Sequence, residues 1–156
     1  EHRWLVSNAK QPLKDIFQIA YWTGMRRSEI LNIQRDHIKG FSLLIPITKN
    51  QEPRTIPLKL EVLSILKKAD LPFKISAHSV SKHFRKLCRR GGIEGATFHS
   101  YRHTAVSNFS KYLTPQQVRV ISGHKTLSQL SRYSNLQAKD LVEKINFIDK
   151  KFKVVK

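Results

Sequence analysis

Apolar residues recur at helical spacing between Lys10 and Trp22, where Leu13, Ile16, Phe17, Ala20 and Tyr21 share one face. The pattern predicts a helix there, ended by Gly24. A second helix is expected over Arg27 to Ile33, with Ile30, Leu31 and Ile33 available for packing. The period then changes. Phe41, Leu43, Ile45 and Ile47 alternate with Ser42, Leu44, Pro46 and Thr48, as on a half-buried strand. Lys49 to Pro53 is turn chemistry, and Arg54 to Leu58 reads as the returning strand of a hairpin. Pro46 and Pro57 belong at strand ends or edges, and a short strand near His37 to Lys39 would complete a small antiparallel sheet.

Helical spacing returns after the sheet. Leu58, Val62, Ile65, Leu66 and Ala69 share one face, and Val80, Phe84, Leu87 and Cys88 share another before Gly91-Gly92. A helix is expected from His99 to Tyr112. Thr114-Pro115-Gln116-Gln117 carries a Thr cap, a first-turn Pro and a Gln that closes a capping box. Further helices are expected over Leu127 to Ser134 and along the stripe Leu141, Val142, Ile145 and Ile148. The tail from Lys150 interleaves Phe152, Val154 and Val155 with lysines. These apolar residues need a cover, either from the chain's own domain or from a neighbouring copy. The expected fold is α+β and mainly helical, with helices around a small antiparallel sheet.

A chain of 156 residues suits one domain, here 1–156, with a core of its own. No apolar run approaches the ~18 residues of a membrane span, and the opening EHRWLVSNAK lacks the apolar stretch of a signal peptide. Cys88 is the only cysteine, so no internal disulfide can form, which fits a reducing, cytoplasmic setting.

Charge narrows the partner. Lys and Arg number 29 against 11 Asp and Glu, a formal +18. Such an excess attracts polyanions and makes nucleic acid the expected partner, without implying catalysis. An anionic membrane is disfavoured because the basic residues are spread along the chain with no anchor signature.

Several short stretches could carry chemistry. In His99-Ser100-Tyr101-Arg102-His103, His99 and Arg102 share a helix face. Arg offers forked donors to phosphate oxygens, and His titrates near neutrality. The His99/His103 spacing also raises a metal reading. Ser100 stands where a zinc-protease helix has Glu, and no nearby carboxylate or thiol supplies a third ligand, so no metal and no cofactor is expected. In Thr23-Gly24-Met25-Arg26-Arg27-Ser28-Glu29, Arg26 follows a glycine turn and Glu29 could orient it. Ser122-Gly123-His124 precedes Tyr133 by nine residues, and tyrosine can serve as a covalent nucleophile. Lys49 sits at the hairpin turn, where it could act as an acid. Taken singly, each stretch has an ordinary structural explanation.

Jointly, TGMRRSEIL, ITKNQEPRTIPL, HSYRHT and SGH followed by Tyr133 resemble the catalytic domain of the tyrosine recombinases, the phage-integrase family. These pieces frame the chain from about Thr23 to Leu136. The resemblance implies that Arg26 and Arg102 clamp the scissile phosphate. It implies that Lys49 protonates the departing 5′ oxygen, that His99 manages the proton of the nucleophile, and that His124 bonds a phosphate oxygen. Tyr133 matches the nucleophile, Glu29 an acidic supporting position, and His103 a structural neighbour of the second arginine. Ser100-Tyr101 departs from the Asp-Leu pair common in the family, and Lys125 replaces a small polar residue.

The family resemblance further implies site-specific recombination of double-stranded DNA through a 3′-phosphotyrosyl intermediate, without metal or ATP. It implies a homotetramer on paired DNA sites, and a monomer is expected without DNA. The N-terminal helical domain that family members use to grip the other side of DNA is not expected within these residues. Two alternatives remain: relaxation of DNA in the manner of a type IB topoisomerase, and a non-catalytic basic DNA-binding protein.

Overall fold

A computed structural model describes residues 1–46 and 53–133 of the chain. Lys49 and the turn around it, the expected helix of residues 141–148 and the apolar tail lie outside the described residues.

The described elements follow one another as α1 (His2–Asn8), α2 (Leu13–Thr23), α3 (Arg27–Leu31), a 3-10 turn (Arg35–His37), β1 (Ile38–Lys39), β2 (Ser42–Ile45) and β3 (Arg54–Pro57). Then come α4 (Leu60–Lys68), α5 (Ala77–Arg90), α6 (Ser100–Ser110), α7 (Pro115–Ser122) and a second 3-10 turn (Leu127–Tyr133). The architecture is the expected one, mainly helical with one small antiparallel sheet in the order β1-β2-β3. Proline falls where its missing N–H does least harm: Pro57 ends the edge strand β3, and Pro46 follows β2.

Strand periodicity builds the sheet's inner face. Leu43 pairs with Ile56 and Ile45 with Arg54, and Leu43, Ile45 and Ile56 are buried. Arg54 therefore continues the same inward row as Ile56. The main core joins this face to Ile16, Phe17 and Ile19 of α2, Ile30 of α3, Val62 and Leu66 of α4, and Val80 and Phe84 of α5. Tyr101 of α6 closes it through ring contacts with Phe17, Phe84 and Phe98. A smaller cluster of Val106, Val118 and Leu130 fastens α6, α7 and the second 3-10 turn together.

The differences from the sequence-based expectation lie at element ends. Helix α2 begins at Leu13 rather than Lys10: Pro12 occupies the cap position, and a proline disfavours the helical conformation in the residue before it. Helix α3 stops at Leu31, two residues before Ile33. Residues Leu127–Tyr133 form 3-10 rather than α-helical turns. Leu130 is the buried apolar anchor of this serine-containing segment, and the Ser131 hydroxyl bonds back to the Ser128 carbonyl at 2.7 Å. Helix α1 has little periodic signal of its own. It packs on α2 and α5, with Leu5 buried and Trp4 against the main core.

The capping box at Thr114 is present: its hydroxyl accepts from the Gln117 N–H at 3.3 Å, and the Gln117 side chain accepts from the Thr114 N–H at 2.9 Å. Replacing Thr114 with Ala is expected to cost about 1 kcal/mol of stability, and Thr114→Ser to restore most of it. Urea unfolding checks this, and an unchanged midpoint in Thr114→Ala would contradict it.

Candidate active site

The site is assembled where two glycine turns meet the start of α6. Gly24 ends α2 in the left-handed conformation at φ 63°, with its N–H on the Ala20 carbonyl at 3.0 Å. A Cβ there would stand 3.1 Å from the Ala105 Cβ of α6. Glycine is thus needed both for the turn and for the approach of α2 to α6. Gly123 ends α7 in the same way at φ 67°. Arg102, buried on α6, joins the two turns. Its Nη1 donates to the Gly24 carbonyl at 2.9 Å and its Nη2 to the Ser122 carbonyl at 2.7 Å. Both acceptors are helix-end carbonyls, where the partial negative charge suits a guanidinium.

Arg26 lies two residues past Gly24 and caps α3. Its backbone N–H donates to Glu29 Oε2 at 2.8 Å, and its Nη1 to Glu29 Oε1 at 3.1 Å. Glu29 also receives both Nη groups of Arg54, each at 3.0 Å. Burial by itself pushes the Glu29 carboxyl up. The hydrogen bonds and charge of Arg54, with those of Arg26, outweigh it and hold the group below the ordinary carboxylate value. On the other turn, Ser122 is buried and serves two partners. Its carbonyl accepts from Arg102, while its hydroxyl lies 2.7 Å from His124 Nδ1 and so sets the direction of that ring. Arg119 Nε donates to the His124 carbonyl at 3.3 Å.

His99 stands at the N-terminal end of α6, edge to face with His103 at a ring separation of 4.9 Å. Partial burial lowers its pKa from 6.5, and the charges of His103, Arg102 and Arg26 lower it further. The imidazole is therefore neutral at neutral pH and able to accept a proton. Arg26, Arg102, His99, His103, Glu29 and His124 are thus gathered on two turns and one helix start. Lys49 lies outside the described residues. Tyr133 closes the 3-10 turn that Leu130 anchors on α6 and α7, and its side chain lies outside the described part.

Ser100 and Tyr101, the residues that depart from the family pattern, have structural work. Ser100 Oγ accepts from the Thr97 N–H at 3.0 Å at the helix start. The Tyr101 ring is buried in the aromatic core, where desolvation pushes its hydroxyl well above the ordinary tyrosine value. That makes Tyr101 a poor nucleophile. Arg54 and Ser122 were not singled out from sequence. A usable signal existed for Arg54: it falls on the same strand face as Ile56, and an arginine on a core-facing row needs a buried partner.

Because the folded pKa of His99 lies below 6.5, the unfolded chain binds its proton more readily. The stability linked to this group is complete above 6.5 and is lost as pH falls through the lower folded value. An NMR titration of the ring protons should place the His99 midpoint below 6.5, and His103→Ala should move it upward. A midpoint at or above 6.5 would remove the case for a neutral base.

The model of the phage integrase family matches residues 3–69. A shufflon-specific DNA recombinase of Escherichia coli is 33% identical over 141 residues, which cover 84% of this chain and 36% of the relative. The chain thus spans little more than a third of that protein's length. The catalytic domain of bacteriophage HP1 integrase superposes with a TM-score of 0.76 at 25% identity, over 94% of this chain and 90% of that one. The Tn1549 transposon integrase, solved with circular intermediate DNA, superposes with a TM-score of 0.74 at 16% identity, over 92% of this chain and 64% of that one. The match to an isolated catalytic domain over nearly the whole of both chains accounts for the fold. This chain belongs to the phage integrase family, the tyrosine recombinases, and has the fold of their catalytic domain.

Proposed function

We propose that the chain cleaves and rejoins double-stranded DNA through a covalent bond to Tyr133, as the catalytic domain of a site-specific recombinase. The observation that carries this is the link made by Arg102. One buried guanidinium binds the carbonyls of Gly24 and Ser122, and so draws Arg26, His99 and His124 to one place. A set of cationic and neutral donors arranged this way suits a phosphodiester, whose oxygens gain charge as the nucleophile enters. The formal +18 supplies long-range attraction to DNA.

In the proposed reaction the Tyr133 oxygen attacks phosphorus and its proton passes to His99. Arg26, Arg102 and His124 hold the nonbridging oxygens. The 5′ oxygen departs with a proton from Lys49, leaving a 3′-phosphotyrosyl ester. A 5′ hydroxyl from a second strand then attacks that ester and releases the tyrosine. Each step exchanges one phosphoester for another, so rejoining needs no ATP. Charge on the phosphate is met by side chains, so the reaction as written uses no metal. A preorganised donor of this kind is worth about 3 kcal/mol in the transition state. Exchange between two duplexes calls for a homotetramer on paired sites, assembled from monomers on DNA in the cytoplasm. Among the described residues no helix is long and apolar enough to cross a membrane.

Incubation with a nicked duplex that traps the intermediate is expected to give a covalent adduct mapped to Tyr133. Tyr133→Phe should abolish it with DNA affinity nearly unchanged. An adduct of normal yield in Tyr133→Phe, or one mapped to Tyr112, would end the assignment. Rejoining between two sites, measured beside relaxation of a supercoiled plasmid, separates recombination from topoisomerase action.

Adduct formation is expected to proceed undiminished in excess EDTA. Loss of cleavage in chelator, restored by magnesium, would point to a metal-dependent nuclease.

A further inference from the structure

Arg54 stands outside the set of residues assigned to the chemistry, yet its three nitrogens each donate to part of the site. Nη1 and Nη2 meet the two oxygens of Glu29 at 3.0 Å each, and Nε donates to the Ile121 carbonyl at 3.2 Å. The side chain is only 10% exposed, and all three of its nitrogens are engaged by the protein itself. It also lies flat against the second glycine turn. A Cβ on Gly123 would come within 2.8 Å of Arg54 Cζ, closer than non-bonded atoms can stand. One strand residue thus touches the carboxylate that holds Arg26 and the turn that carries His124.

We propose that Arg54 is a positioning residue for DNA cleavage, setting Arg26 through Glu29 and His124 through the Ile121–Gly123 backbone. The inference rests on the reading of the site as one that cleaves DNA. The electrostatic reason lies in Glu29, whose side chain is 1% exposed. A buried carboxylate with one arginine partner would draw that guanidinium onto itself and neutralise it. With Arg54 supplying a forked pair on the inner side, the carboxylate is already compensated. Arg26 is then oriented by Glu29 without surrendering its charge. Lysine in place of Arg54 would keep a positive charge but could not reach both carboxylate oxygens and the Ile121 carbonyl from one rigid plane.

The alternative is that Arg54 merely ties β3 to α3 and α7. The two ideas differ in a double-mutant cycle read by single-turnover cleavage of a nicked duplex, using the full chain with Arg54→Ala, Arg54→Lys, Arg26→Lys and the paired variants. A positioning role predicts DNA affinity within a few-fold of the parent and a cleavage rate about 100-fold lower in Arg54→Ala. Arg54→Lys should recover only part of that loss. The losses should also fail to add: once Arg26 is Lys, removing Arg54 should slow cleavage far less than it does in the parent. A tie that only supports the fold predicts multiplicative losses, and that result overturns the proposal, as does an unchanged rate in both Arg54 variants. If Arg54→Ala does not fold, the cycle between Arg54→Lys and Arg26→Lys carries the test alone. A parent protein that forms no adduct defeats the cleavage reading and this inference with it. A parent that forms the adduct beside unaffected Arg54 variants defeats this inference alone.

Discussion

Glu29 places a negative charge where almost no water reaches it, in a chain with 29 basic residues and only 11 acidic ones. An isolated buried carboxylate is costly, and removing a partner from a buried ion pair typically costs 3–5 kcal/mol, roughly. The fold therefore has to keep two guanidiniums and a backbone N–H on this one group. Doing so brings β3 against α3 and fixes the residue that caps α3, which is Arg26. The geometry of the cationic site is thus tied to the burial of the carboxylate beside it.

Gathering positive charge has its own cost, and the structure offsets much of it with backbone carbonyls. Arg102 is directed by the carbonyls of Gly24 and Ser122, the first at the C-terminal cap of α2 and the second in the last residue of α7. These two contacts place the guanidinium through backbone oxygens, which carry partial rather than full negative charge. The residual repulsion is visible at His99, whose pKa is depressed by burial and by the charges of His103, Arg102 and Arg26. Burial first, and then the same field that would favour a bound phosphate, disfavours the protonated imidazole.

Much of the fold could be read from the chain because its signals are local. The apolar stripes of α2, α4 and α5, the alternation in β2, and the Thr114 capping box each act within a few residues. Element ends were less legible. Pro12 delayed α2, and the serine-containing segment before Tyr133 tightened into 3-10 turns, because a short helix depends on its packing as much as on its sequence. Helix α1 exists through contact with α2 and α5, which no local pattern announces.

The candidate site divides along the same line. The motifs around Arg26, His99, Arg102 and His124 stand in the sequence, together with the glycines that let the turns form, since a residue type at a given spacing is a one-dimensional property. Sequence also placed Arg54 on the returning strand of the hairpin, in the same row as Ile56. The tertiary structure alone decided that this row ends beside Glu29 and Gly123, and that Arg102 bridges two turns far apart in the chain. It also settled that Tyr101 belongs to the core. Those facts depend on which helix ends meet, and that is set by how the core packs rather than by any short stretch of residues.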